Sequence, residues 1–430
     1  MVIMIIYIVQ PGDTIYSIAE SYNVPAERLI LDNGLTNPNH LVVGQSIVIV
    51  YPKQTHTIQE GDSLYSIAAA YNISIKQLLR SNPTLSERAY IYPGETLIID
   101  YNLEKIGDIS TNGYAYPYIS KELLRYVLPY LTYLTLFTYG LTLNGELIQI
   151  DDTEIIKMAR EYEVAPLMLI STILNVGDFS TELTHNILNS KSIQENLINN
   201  IVNNMKVKDY FGLYINFGFI LEEDSTNYVD FIKELTDRLT QEGFEICVAL
   251  APNIIDQSGV IYKGHDYQGL GKTVTAVLLM TYDWGKSLGP TTSVAPVNKM
   301  RQVFDYSITK IPPEKTYIGI PTFGYDWTLQ PIDGITIVHY LSNASAINLA
   351  IEKEAIIQYN DVYQAPYYSY TDTPSNIKHI VWFEDARSIN AKLNLVTEYR
   401  FRGISILNIM EKFPQLWFVI NTQYNLRNAI

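Results

Sequence analysis

The sequence predicts an α/β protein: a (β/α)8 barrel with an α+β insertion, preceded by two small βααβ units. Three observations carry that expectation. Residues 7–50 and 56–99 repeat one another. After residue 112, apolar strand-like runs alternate with helical patterns, as in a barrel of parallel strands. One connection, roughly 330–384, is too long for a simple strand–helix link and reads as an insertion on the rim. The expected organisation is therefore a first unit over 1–51, a second over 54–100, a linker over 101–112 and the barrel over 113–430.

Composition agrees with a folded multidomain chain. At 430 residues it exceeds what one core usually holds, and it is 47% hydrophobic and 17% charged. A net charge of −15 argues against nucleic acid and anionic membrane surfaces, both of which call for a basic face. A single cysteine, Cys247, excludes an internal disulfide framework and suits a reducing compartment. The six histidines have no metal-ligand spacing, so neither a metal nor another cofactor is expected. The opening MVIMIIYIVQ lacks a basic region and a small-residue cleavage site, and reads as a first strand rather than a signal peptide. No run reaches the ~20 apolar residues of a spanning helix. Of the 34 tyrosines, Tyr363, Tyr367, Tyr368 and Tyr370 cluster. They read either as ordinary packing or as a surface that offers a glycan both apolar area and a hydroxyl.

YIVQPGDTIYSIAESYNV, from Tyr7, aligns with HTIQEGDSLYSIAAAYNI, from His56, at an offset of 49 that Asn33 and Asn82 keep. Each copy reads strand, helix, helix, strand, with Asp13–Thr14 and Asp62–Ser63 as helix-start caps. These residues closely resemble the LysM family, whose hallmark is a Gln-x-Gly-Asp-Thr/Ser opening. The resemblance implies binding to N-acetylglucosamine-containing polymers, peptidoglycan or chitin, in a shallow groove between two loops. Here those loops hold Gly12, Asp13, Thr14, Ile15, Pro38 and Asn39, then Gly61, Asp62, Ser63, Leu64, Ala89 and Tyr90. Exposed loop N–H groups suit acetamido groups, and two linked weak modules gain avidity. The alternative is that Gly-Asp-Thr is only a tight turn and cap.

Eight strands follow, expected at 113–119, 133–139, 167–173, 210–220, 245–252, 276–284, 316–325 and 403–409, with helices between them, such as 225–241 and 386–399. In the fourth run, YFGLYINFGFI, alternation puts Leu213, Ile215, Phe217 and Phe219 on one face and Tyr214, Asn216 and Gly218 on the other. That second face carries no carboxylate.

This region resembles glycoside hydrolase family 18, the chitinase-like barrels, through MTYDWG (280–285), IPPEKTYIGIPTFGYDWTL (311–329) and VWFEDARSINAKLNLVTEYRFRGIS (381–405). With the repeats included, the chain resembles LysM-bearing N-acetylglucosaminidases of spore cortex. The resemblance implies a D-x-x-D-x-D-x-E motif on the fourth strand. Its Glu would be the general acid, and its last Asp would hold the substrate's own acetamide as nucleophile. Phe211, Tyr214, Asn216 and Gly218 stand at those four positions. Tyr282 and Asp283 match the substrate-contacting Tyr-Asp of the sixth strand. Leu407 stands where the family has a Trp floor, while Trp284 and Trp327 remain. Glu222, Glu223 and Asp224 follow the fourth strand in a loop, and Asp178 follows the third.

The expectation drawn from these positions is a non-catalytic protein with no catalytic residue, a degenerate barrel in a glycan-binding and structural component of the spore envelope. It would be made in the mother-cell cytoplasm and bind peptidoglycan, with other envelope proteins or a second copy as further partners. Two alternatives stand beside it: a hydrolase of spore peptidoglycan using an unorthodox acid such as Glu222 or Glu223, and a chitooligosaccharide lectin using Asn216, Tyr282 and Asp283.

Overall fold

The computed structural model describes residues 4–430 apart from 89, 102, 174–178, 254, 257, 258, 261, 283, 285–291, 330–336 and 374. The two repeats fold alike because each opens with the same devices. Gly12 and Gly61 both sit at φ +89 in open space, so backbone conformation alone demands glycine there. Asp13 and Asp62 turn their carboxylates back to accept from the N–H of Gln10 and Gln59 at 2.7 Å. Thr14 and Ser63 cap the helices Ile15–Ser21 and Leu64–Ala70 through reciprocal capping boxes with Ser17 and Ser66. Asn33 ties its helix to the closing strand, donating to the carbonyls of Leu29 and Val48 and accepting from Val48 N–H. Asn82 makes the same three bonds to Leu78 and Ile98.

Eight strands close a parallel barrel: β1 (Gly107–Ala115), β2 (Tyr133–Leu141), β3 (Ala165–Ser171), β4 (Gly212–Asn216), β5 (Glu245–Leu250), β6 (Ala276–Leu279), β7 (Thr316–Pro321) and β8 (Gly403–Leu407). Each pairs with the next, and β8 pairs with β1 to seal the ring. Two apolar layers hold it. Tyr114, Leu167, Leu169, Tyr214, Cys247, Leu278 and Tyr317 fill the interior. Leu213, Ile215 and their counterparts pack outward under the helices, as the alternation requires. Burial pushes the Cys247 thiol up to about 12, which keeps it protonated and inert.

Several expected boundaries shift. β1 begins at Gly107, inside the stretch read as a linker. β4 ends at Asn216, because Gly218 at φ +68 turns the chain out of the sheet. Phe219, placed by alternation with the buried face, is consequently 56% exposed. The run 316–325 divides: β7 stops at Pro321, and Phe323–Thr328 belongs instead to a five-stranded antiparallel sheet. With Val338–Ser342, Gln358–Asn360, Ala365–Asp372, Ile377–Trp382 and the helix Asn343–Glu352, it forms the α+β insertion.

The repeats are docked on the barrel rather than strung beside it. Gln415 donates to Asn33 and to the Ser46 carbonyl, and Arg387 donates to the Gly44 carbonyl. Ile357 of the insertion donates its N–H to the Val43 carbonyl at 2.9 Å. Among the described residues no helix is long and apolar enough to cross a membrane.

Candidate active site at the barrel mouth

The carboxyl ends of the strands and the loops beyond them form the face on which barrels of this kind do chemistry. Asn216 closes β4 there, 8% exposed, with its Oδ1 accepting from Gly218 N–H at 3.3 Å. Tyr214, one layer deeper, is buried edge-on against Tyr114, with ring centroids 5.5 Å apart. Phe211 sits at the opposite end of the strand, 6.0 Å from the Tyr133 ring, and is remote from the mouth. A Cβ on Gly218 would lie 2.2 Å from the Phe179 ring. The aromatic ring thus occupies the space into which a side chain at 218 would project.

Three acidic residues follow on the turn Glu222–Asp224. Asp224 is buried and accepts from the His185 ring at 2.8 Å and from Asn189 at 2.8 Å. Its side chain makes no capping bond to the helix Ser225–Gln241. Glu222 pairs with Lys263 at 3.3 Å. Glu223 lies 3.9 Å from His185, with its side chain 72% exposed. The side chains of Glu222 and Glu223 are exposed, whereas Asp224 is buried and committed to His185 and Asn189.

The opposite wall is aromatic and apolar. The Tyr282 ring lies against Gly319, where a Cβ would approach it to 2.4 Å, so glycine makes the room it fills. Leu407 ends β8, half-buried beside the interior cluster. Asn408, next to it, accepts from Met410 N–H. Tyr116 stacks on Tyr118 at 5.4 Å and lies 4.9 Å from Phe137. That trio at the ends of β1 and β2 was missed in the sequence, where only a folded register would bring it together. Trp327, by contrast, is buried in the insertion against Tyr325, so it packs the core instead of facing a ligand. Asp283 and Asp178 lie outside the described residues.

The repeat loops divide in a similar way. Gly12, Thr14, Asn39, Gly61, Ser63 and Tyr90 are exposed, and Pro38 and Leu64 partly so. Ile15 is fully buried in its module's core, so its side chain supports the loop from beneath. Asp13 and Asp62 are engaged by Tyr7 at 2.6 Å and His56 at 2.8 Å as well as by backbone. Their carboxylates therefore shape the turn. Ala89 lies outside the described residues.

Comparison with known proteins places this geometry. The profile of glycosyl hydrolases family 18 matches residues 169–411, and that of the LysM domain matches residues 7–50 and 56–100. The chain is 39% identical over 430 residues to the cortical fragment-lytic enzyme of Bacillus subtilis (strain 168), covering 98% of this chain and 99% of that protein. The solved spore cortex-lytic enzyme SleL of Bacillus megaterium QM B1551 is similar with a TM-score of 0.82 at 33% identity, over 100% of both chains. SleL of Bacillus cereus gives 0.81 at 30% identity, over 99% of each. This likeness, running through both repeats and the barrel, overturns the expectation of a non-catalytic structural protein. That expectation rested on Phe211, Tyr214, Asn216 and Gly218 standing at the four motif positions of one strand, with a hydrolase using another acid kept as the alternative.

Proposed function

The chain belongs to glycosyl hydrolases family 18 and carries two LysM domains, and from that premise we propose that it hydrolyses spore peptidoglycan. The observation that carries the reading is the 39% identity to a cortical fragment-lytic enzyme across 98% of the chain. A likeness restricted to the barrel would support glycan chemistry of some kind. Extending it through both LysM units favours the same polymer for binding and for cleavage. In this reading the exposed loop residues Gly12, Thr14, Pro38, Asn39, Gly61, Ser63, Leu64 and Tyr90 hold N-acetylglucosamine units of the glycan. The barrel acts on a strand so held, and the protein works in the spore envelope after synthesis in the mother cell.

At the mouth, Asn216 is the group suited to hydrogen-bond the substrate's acetamide, whose carbonyl oxygen attacks the anomeric carbon in place of a protein nucleophile. The leaving oxygen needs a proton. Glu222 and Glu223 are the carboxyl groups of the adjoining turn with solvent-facing side chains, and one of them supplies it. Tyr282 and the Tyr116–Phe137 pair offer ring faces to the sugars.

The test is release of reducing ends and small muropeptides from purified cortical fragments by the intact chain. Release well above buffer is expected. The Glu222→Gln, Glu223→Gln double variant should lower the rate by about 10²–10⁴, the usual worth of a positioned acid. Undiminished release by that variant would dismiss these acids and keep the hydrolase. No release by the intact chain would overturn the function itself.

A further inference from the structure

The end of the barrel opposite the mouth holds a cavity. It lies between the helix Ile75–Ser81 of the second LysM unit and the chain's last segment, Asn421 to Leu426, whose strand Tyr424–Leu426 pairs with the start of β1. Its volume is about 230 Å³, and its wall is mostly polar. Two cations reach it, and both bind the same residue. Arg80 Nε donates to the Asn421 side-chain oxygen at 3.2 Å, and Lys105 Nζ donates to the Asn421 carbonyl. Arg80 donates once more to the Pro129 carbonyl at 3.1 Å, so all of these acceptors are neutral. Lys76 is buried on the same helix and donates to the carbonyls of Leu131 and Glu163 and to Asn428.

Among the described residues no carboxylate comes within 4.0 Å of Arg80, Lys105 or Lys76. Asp100, the acid lining the cavity, is already paired with Lys53 at 3.5 Å. Lys76 is buried, Arg80 half-buried and Lys105 exposed at the cavity edge, so three cations converge on neutral acceptors without a carboxylate in contact, in a chain whose net charge is −15. Burial pushes the Arg80 guanidinium down to about 10, so it remains charged at neutral pH and its charge calls for a partner. Ser74, Gln77 and Asn425 add neutral hydrogen-bonding groups to the wall.

We propose that this cavity binds a small oxyanion, a phosphate or a carboxylate, between Arg80 and Lys105. The bound anion bridges the second LysM helix to the barrel floor, and so fixes how the module sits on the barrel. The assignment is independent of the chemistry at the mouth.

The experiment is thermal unfolding of the full chain titrated with potassium phosphate, and separately with N-acetyl-D-alanine as a peptide-type carboxylate. Potassium chloride holds the ionic strength constant. A saturable rise in Tm is expected with at least one probe, and the probe that gives it names the source of the oxyanion. Lys105→Gln, at an exposed position that the fold tolerates, should weaken the apparent affinity at least fivefold, and Arg80→Gln should abolish saturation. Hydrogen exchange of the helix 75–81 should slow in the presence of the effective probe. Equal shifts with chloride alone would overturn the site. So would an unchanged titration midpoint in Lys105→Gln.

Discussion

His265 shows how a single side chain sets the response of this barrel to acid. It is 2% exposed, and its Nδ1 accepts the Ala251 N–H at 2.9 Å just past β5. Burial pushes the imidazole down to about 3 from 6.5. Between those values the unfolded chain holds a proton that the folded chain refuses, so stability falls as pH drops below 6.5. At pH 5 the loss from this one group is about 2 kcal/mol. Urea unfolding at pH 7 and pH 5 should show it, and His265→Asn, which keeps an acceptor for Ala251, should flatten the dependence by that amount. An unchanged pH slope would mean that other groups govern the acid limb. Nothing in the sequence marked His265, since a lone histidine declares its burial only once the loop after β5 is folded. Gly218 is the opposite case. Its lack of a carboxylate was plain in the sequence, but its φ of +68 and the Phe179 ring beside it were not. Those two facts explain why the strand stops at Asn216 and why a side chain at position 218 would meet the Phe179 ring.

At the scale of the element, legibility tracks how local the determining forces are. The LysM units could be read almost residue by residue, because Gly-Asp-Thr/Ser specifies a turn, a backbone acceptor and a cap within a few positions. Asn33 and Asn82 extend the same logic across the unit, each joining helix to strand by three hydrogen bonds. Both are buried. Asn82→Ala should therefore cost about 1–3 kcal/mol, because it strips the Ile98 N–H and two carbonyls of their partner. Thermal unfolding of the variant, with Asn33→Ala as the parallel case, checks this. A loss below a few tenths of a kcal/mol would show that water replaces the amide. The barrel strands were legible as apolar runs, but their ends were not. Between β7 and the first insertion strand only Thr322 intervenes, so the residues 316–325 look like one strand. The division comes from tertiary pairing, since Thr322 donates to the Leu407 and Asn408 carbonyls of β8 while Phe323 onward pairs with the insertion. No local pattern encodes that switch of partner.

For the whole molecule the question is whether the first LysM unit is a tethered binder or part of the folded body. Tethered modules share a linker and little else, whereas here the unit meets the barrel along two lines. Asn33 and Ser46 meet Gln415, and Val43 and Gly44 meet Ile357 and Arg387. A Cβ at Gly44, which sits at φ +88, would fall 1.8 Å from the Ile357 carbonyl oxygen, so the two surfaces touch at backbone distance. Gln415 is 5% exposed, and without Asn33 and the Ser46 carbonyl its amide would lose partners that burial obliges it to have. The last prediction follows from this. Deleting residues 1–51 should lower the Tm of the remaining chain by about 1–3 °C, because a loss of about 1–2 kcal/mol at the exposed seam displaces the midpoint by only about 1–1.5 °C per kcal/mol in a chain this long. The intact protein should unfold in one transition that includes the first unit. Gly44→Ala is the conservative counterpart, since it leaves the glycan loops untouched while forcing the seam apart. If calorimetry of the intact chain instead resolved a separate transition for residues 1–51, and the truncated protein melted at the same temperature as the whole, docking would contribute nothing to stability. The unit would then act as an independent anchor, free to seek its glycan wherever the linker allowed, instead of presenting one strand to the barrel mouth at a fixed distance.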